Sequence, residues 1–348
     1  MWVELICGLV LYRLFKRYLY EDDALLDLDT SHSNALFAVA NRLEQLYYGS
    51  KAYVGLQIPD ADSGSRQNID IVLVTKGEAL VISVMNVSGF ISIDKNGNWV
   101  CTGGRSNKTT CLPDPTAETK RLVPILEAYL EQRGVVVPEG YLSSKVICPN
   151  PKFSTIQSVF PPEVITYDQW TQLKPEQKSM LSGWIKGAFC SAKKEMQESL
   201  NKKLCSSLST APMWDRLELK GNRFVLGEFM EFKGKQDDLQ ALINIRRSKV
   251  SRLIVQKISM FGFGILAYYC LYFTFEFRRP AFPQNLVSHT RLQVLYSPRD
   301  YRNEGASSSS EWKEVAVRSS TEVVFHPQNC TKVRKYKLSS IISMSLSA

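Results

Sequence analysis

Histidine is scarce in this chain, with only His32, His289 and His326, and no cysteine pair stands at CxxC spacing. Zinc sites take clustered imidazole or thiolate ligands, so this scarcity points away from zinc-dependent folds and zinc hydrolases. The eight cysteines lie singly at positions 7, 101, 111, 148, 190, 205, 270 and 330, which fits reduced thiols in a reducing compartment rather than a disulfide framework. Also missing are a P-loop, a GxSxG elbow, an HExxH helix and the glycine fingerprint of a dinucleotide fold. These absences remove the motif evidence for NTPase, serine-hydrolase, metalloprotease and dehydrogenase chemistry.

Acidic residues are outnumbered, 34 against 43 lysines and arginines, and the chain carries a formal charge of +9. That balance suits an acidic partner such as nucleic acid or an anionic membrane surface. Hydrophobic residues at 44% and charged residues at 22% are normal for a folded protein, and 348 residues suffice for two cores.

Two apolar stretches interrupt the soluble texture. Residues 1–20 begin with a short apolar run followed by Arg13, Lys16 and Arg17, with Trp2, Tyr12, Phe15, Tyr18 and Tyr20 nearby. The run is too short to span a bilayer, but aromatic and basic residues together suit a membrane interface, and a helix packed on the domain is the plain alternative. The second stretch, 258–275, holds 18 residues without a charge, the lower limit for a transmembrane helix. Its surroundings, from about residue 261 to 292, break so abruptly from a β-rich context that an inserted or mis-joined segment or a buried core segment stays open beside the membrane reading.

Three regions follow from patterning: an apolar N-terminal segment 1–20, a first domain 30–211 with a helical extension, and a β-rich domain 212–348 interrupted by 258–292. In the first domain, Leu36, Val39, Ala40 and Leu43 recur at helical spacing over 34–45. Strands are expected at 51–58, 69–75, 79–87, 90–94, 99–101 and 145–148, with an edge strand at 163–167. A helix opens at Asp114-Pro115, presents Leu122, Ile125, Leu126, Tyr129 and Leu130 on one face, and stops at Gly134. A polar helical stretch covers 175–199. Beyond 212, strands are expected at 216–219, 223–231, 292–296, 314–317, 322–325 and 332–346, with a helix over 236–247.

Helix, strand, Asp-bearing strand, tight turn, strand, glycine and a Pro-opened helix resembles the nuclease-related (NERD) domain. The residues that carry the likeness are Ile69-Asp70 to Gly77, Leu80 to Gly89 with Ser83, Met85 and Asn86, and Pro115 to Glu118, within about 35–165. That family is similar to PD-(D/E)xK nucleases and resolvases, and the two-domain layout looks like that of plant proteins carrying the domain. The resemblance implies an α/β fold, a mixed central sheet flanked by helices of restriction-endonuclease type, followed by a smaller, mostly antiparallel β domain.

In such nucleases an Asp on one strand and a Glu-x-Lys on the next point to one face, because strand side chains alternate with period 2. The carboxylates hold Mg²⁺, which activates water against a phosphodiester, and the Lys offsets developing charge. Here Asp70 stands at the Asp position, but Ser83 and Met85 stand at the Glu and Lys positions. A further helix acid of the family falls at Leu36, and Glu118 occupies the later helix position where the family shows Gln. The site residues expected are therefore vestigial: Asp70, the weak metal ligand, and Glu118, with Mg²⁺ as cofactor only if the site is active.

Arg246, Arg247, Lys249 and Arg252 form a basic run that could contact phosphates or anionic lipids, and 332–337 forms another; a solvated face is the plain alternative. The leading expectation is a non-catalytic binding or scaffold module, membrane-associated with its domains in the cytosol. A metal-dependent nuclease with an altered site, and a membrane adaptor with no nucleic-acid role, are the alternatives. Soluble cytoplasmic or nuclear residence is the alternative localisation.

Overall fold

The computed structural model describes residues 31–103, 109–155, 160–174, 191–257, 291–299 and 312–347. Both apolar stretches, 1–20 and 258–275, and most of the polar stretch 175–199 lie outside them. Among the described residues no helix is long and apolar enough to cross a membrane.

Internal contacts divide the chain between Trp214 and Asp215. The first unit opens with helix α1 over 31–46. Strands β1 (Lys51–Pro59), β2 (Arg66–Val74), β3 (Ala79–Val84), β4 (Gly89–Ile93), β5 (Trp99–Thr102) and β6 (Thr110–Leu112) follow, then helix α2 (Pro115–Gln132). After it come β7 (Leu142–Ile147), β8 (Phe153–Thr155), β9 (Val164–Ile165), α3 (Tyr167–Gln172) and α4 (Ser191–Ser209).

The main sheet has the order β1-β2-β3-β7-β9. Its first three strands are an antiparallel meander, and α2 lies on the crossover that returns the chain parallel to β3 as β7. A small second sheet, β6-β5-β4-β8, grows from the loop after β3. Both sheets are mixed, so the unit is α/β as the element order implied.

Local sequence sets α2. Asp114 caps it by accepting from the Thr116 N–H at 2.9 Å, and Pro115 fits the first turn, where its missing N–H costs nothing. At its far end Gly134 adopts φ +76°, and the N–H groups of Gly134 and Val135 cap Glu131 and Leu130. Leu122, Leu126 and Leu130 of α2 and Leu204 and Leu208 of α4 pack with Val72, Val74, Ala79 and Val81 in one core. The alternate set Ile71, Leu73, Leu80 and Ile82 is equally buried, so both faces of the sheet are covered.

The second unit is an antiparallel sheet in the order β14-β13-β12-β17-β10-β11-β15-β16. Its strands are β10 (Asp215–Leu219), β11 (Arg223–Lys233), β12 (Val250–Lys257), β13 (Arg291–Pro298), β14 (Lys313–Arg318), β15 (Glu322–Pro327), β16 (Arg334–Lys337) and β17 (Ile341–Ser345). Helix α5 (Gln236–Leu242) joins β11 to β12. Leu217, Val225, Leu253, Val294, Val323, Phe325 and Met344 fill its core. The stretch expected as one strand over 332–346 is two, separated by a 3-10 turn at Leu338–Ser340. Strand β12 was hidden in the sequence by the basic run.

Strands β12 and β13 are paired to their ends, Lys257 opposite Leu292. Lys257 and Leu292 are therefore neighbours in the sheet.

Candidate functional site

Asp70 lies near the middle of β2, one residue before the point where the β2–β3 pairing sets Ile71 opposite Ile82. Its side chain is 20% exposed. One oxygen accepts the Val84 N–H at 2.8 Å, and the other lies 4.0 Å from Nε2 of His32 on α1. Burial pushes the Asp70 carboxyl above the usual carboxylate range; His32 and the Val84 N–H pull it back, and the negative field of Glu118 adds to the rise.

Ser83 is turned toward α2. Its hydroxyl is hydrogen-bonded to that of Thr119 at 2.8 Å, and Thr119, fully buried, also donates to the Pro115 carbonyl at 2.5 Å. A hydroxyl has one proton, so with that of Thr119 on a carbonyl the Ser83 proton goes to Thr119. Met85, just past the end of β3, packs against the core of the second sheet beside Ile91, Trp99 and Cys148. Glu118 sits on the first turn of α2 and is solvent-exposed, reaching Asp70 through its field rather than through a hydrogen bond. Leu36 is fully buried, so the helix position where the family carries an acid belongs to the core here.

A polar relay joins the rim of this site. The Asn86 amide donates to the Ser31 carbonyl and hydroxyl at 3.2 and 3.1 Å, Asn150 donates to Asn86 at 3.0 Å, and the Lys152 N–H donates to Asn150 at 2.9 Å. It ties the start of α1, and with it His32, to the end of β3. Sequence reasoning missed His32, which was noticed only in dismissing zinc. The available signal was its position one helical turn before Leu36, on the same face.

Magnesium takes oxygen ligands in near-octahedral geometry, usually one or two carboxylates with waters and substrate phosphates. The residues present do not make that donor set: Asp70 spends one oxygen on a backbone N–H, and Ser83 offers a neutral hydroxyl already engaged by α2. Among the described residues no group of three or more His, Cys, Asp or Glu side chains is arranged to hold a metal.

The basic run lies in the second unit. Arg246, Lys249 and Arg252 are exposed, while Arg247 is held inward. Its Nε lies 3.0 Å from fully buried Asp215, and its Nη1 donates to Glu228 at 2.6 Å. Of the second run, Lys335 and Lys337 stand exposed on the edge strand β16, where lysines keep a sheet from pairing with other chains.

Residues 31–149 match the family model of the nuclease-related domain. No curated protein and no solved structure matches the chain.

Proposed function

We propose that this protein binds nucleic acid through a nuclease-related domain whose hydrolytic centre has been dismantled, with Asp70 as its remnant. The reading rests on the pair of substituted strand positions. Ser83 is hydrogen-bonded to Thr119 and Met85 is packed against an apolar core, so neither position offers Asp70 a carboxylate or a lysine. Without them the site lacks the charge that would organise a divalent cation and offset the phosphodiester's developing charge. The mixed sheet with α2 on its crossover is the arrangement expected of restriction-endonuclease-like folds, and the formal charge of +9 supplies attraction to phosphates.

The test is incubation of the full chain with labelled single- and double-stranded DNA and RNA, with Mg²⁺ or Mn²⁺, beside Asp70→Ala. The expected result is salt-sensitive binding with no cleavage above that of the Asp70→Ala control. Cleavage that disappears in Asp70→Ala would sink the reading in favour of an altered metal-dependent nuclease. The negative field of Glu118 at Asp70 favours that second reading, and Glu118→Gln is the variant that would test it. Conversely, Ser83→Glu with Met85→Lys, and Thr119→Ala to make room, should create Mn²⁺ uptake visible by calorimetry. Uptake that survives a further Asp70→Ala would show that the site lies elsewhere.

Membrane association, with both units in the cytosol, belongs to the same proposal and is carried by the sequence of 1–20 and 258–275 alone. The hairpin ends at Lys257 and Leu292 require any contact by the second stretch to enter and leave on one side. Replacing 258–291 by Asn-Gly supplies the two-residue turn this register needs and should leave the sheet folded. Equal carbonate resistance of that variant and the full chain would remove the stretch from the membrane reading.

A further inference from the structure

The second unit carries an apolar groove of about 580 Å³ between α5 and β11. Its floor is made by the buried side chains of Phe229, Leu242 and Ile245, with the ring of Phe232 centred 5.0 Å from that of Phe229. Met230 and Ile243 form its rims and are left 55% and 50% exposed. Strand alternation alone would turn Met230 to the face opposite Phe229. The β11–β15 register slips between Phe229 and Glu231, a bulge at Met230, and a bulge re-aims the extra residue. Both side chains consequently line the one groove.

The charges around it are unequal in their commitments. Glu231 is paired with Lys233 at 3.3 Å, and Arg247 is held by Asp215 and Glu228. Arg246 is exposed, donates only its Nε to the Ile243 carbonyl at 3.2 Å, and has no carboxylate partner among the described residues. An apolar trough ending in an uncompensated guanidinium is complementary to an apolar side chain followed by a carboxylate. A nucleobase would instead want a well-exposed aromatic ring to stack on; Phe232 is only part-exposed and tilts against Phe229, and the exposed apolar side chains here are Met230 and Ile243.

We propose that this groove docks an acidic, apolar-anchored peptide segment of a partner protein. The partner's apolar side chain sits between Met230 and Ile243, and its carboxylate meets Arg246. The inference is independent of the nucleic-acid reading of the first unit.

The test is fluorescence anisotropy of the full chain with labelled nonapeptides in which one Leu, Phe or Met is flanked by glutamates. Matched sets carry Lys for Glu or Ser for the apolar residue. The acidic apolar set should bind at roughly micromolar to sub-millimolar Kd, with the matched sets at least about tenfold weaker. Arg246→Glu and Ile243→Glu, both exposed positions, should each weaken binding about tenfold or more, while Lys335→Glu, the same charge change on β16, should change it by less than about twofold. Absence of binding by every acidic apolar peptide at roughly 1 mM would overturn the proposal. So would equal loss in Lys335→Glu, which would mean bulk charge. A single-stranded oligonucleotide that binds more tightly than the peptides and is lost in Arg246→Glu would reassign the groove to nucleic acid.

Discussion

Asp70 and Asp215 are both strand aspartates with little exposure, one in each unit, yet their surroundings treat them differently. Asp215 is fully buried and fully engaged: it accepts the Phe229 N–H at 2.8 Å and the Ser347 N–H at 2.7 Å, with the Arg247 guanidinium 3.0 Å away. Asp70 has one backbone N–H, a histidine at the edge of ion-pair distance and a second carboxylate's field on it. Burial pushes both carboxyls up, so burial does not separate a structural acid from a site. What separates them is whether neighbours use up the acceptor capacity. Asp215 locks β10, β11 and the chain after β17 together, whereas Asp70 keeps an oxygen for something else.

The largest expected effect follows from that contrast. Asp215→Ala leaves the N–H groups of Phe229 and Ser347 without their acceptor and Arg247 without its buried partner, and should cost roughly 3–5 kcal/mol. Asp70→Ala, which strands one N–H at a part-exposed position, should cost about 1 kcal/mol. Chemical denaturation of the full-chain variants measures both. Equal costs would erase the distinction and make Asp70 a structural acid as well.

The same contrast shows what the sequence made legible. Helix α2 could be read from Asp114-Pro115, its apolar spacing and Gly134, because each of these acts within a few residues. The antiparallel pairing of β2 with β3 followed from two apolar strands joined by the tight turn at Lys76-Gly77. That Ser83 and Met85 stand at the family's Glu and Lys positions came from the resemblance. Arg247 was not legible: it sits in a cationic run, and only the fold, by bringing β10 beneath it, makes it the partner of Asp215. Strand β12 was masked likewise, since its pairing with β17 joins segments far apart in the chain. The helix expected to reach Arg247 stops at Leu242, where β-branched Ile243 and Asn244 weaken continuation. Helix α3 was missed because it is a single short element, marked locally by Gln169 closing back on the Thr166 N–H at 3.0 Å. Thr119 carried no signal at all until α2 was set against β3.

Thr119→Val sharpens the comparison from the other side. If the Ser83–Thr119 contact is what replaced a metal ligand with structure, removing the buried hydroxyl should lower stability by about 1 kcal/mol and leave nucleic-acid binding unchanged. Binding that falls in step with denatured fraction would fit a folding effect. Binding that falls while the chain remains folded would place the hydroxyl pair in the ligand's path and count against the structural reading.

The smallest effect is a matter of pH. Because Asp70 holds its proton more tightly in the folded chain than in the unfolded one, its contribution to stability is complete below the ordinary carboxylate range near about 3.9 and is lost as pH rises through its raised folded value. Asp70→Asn removes that loss while keeping an oxygen to accept the Val84 N–H. The variant should therefore gain in Tm relative to the natural chain as pH rises above the carboxylate range. A variant that instead loses ground with rising pH would mean that His32 and the Val84 N–H stabilise the ionised form more than burial opposes it. Asp70 would then resemble Asp215 in being held by its neighbours, and the acceptor capacity on which the first unit's site depends would be gone.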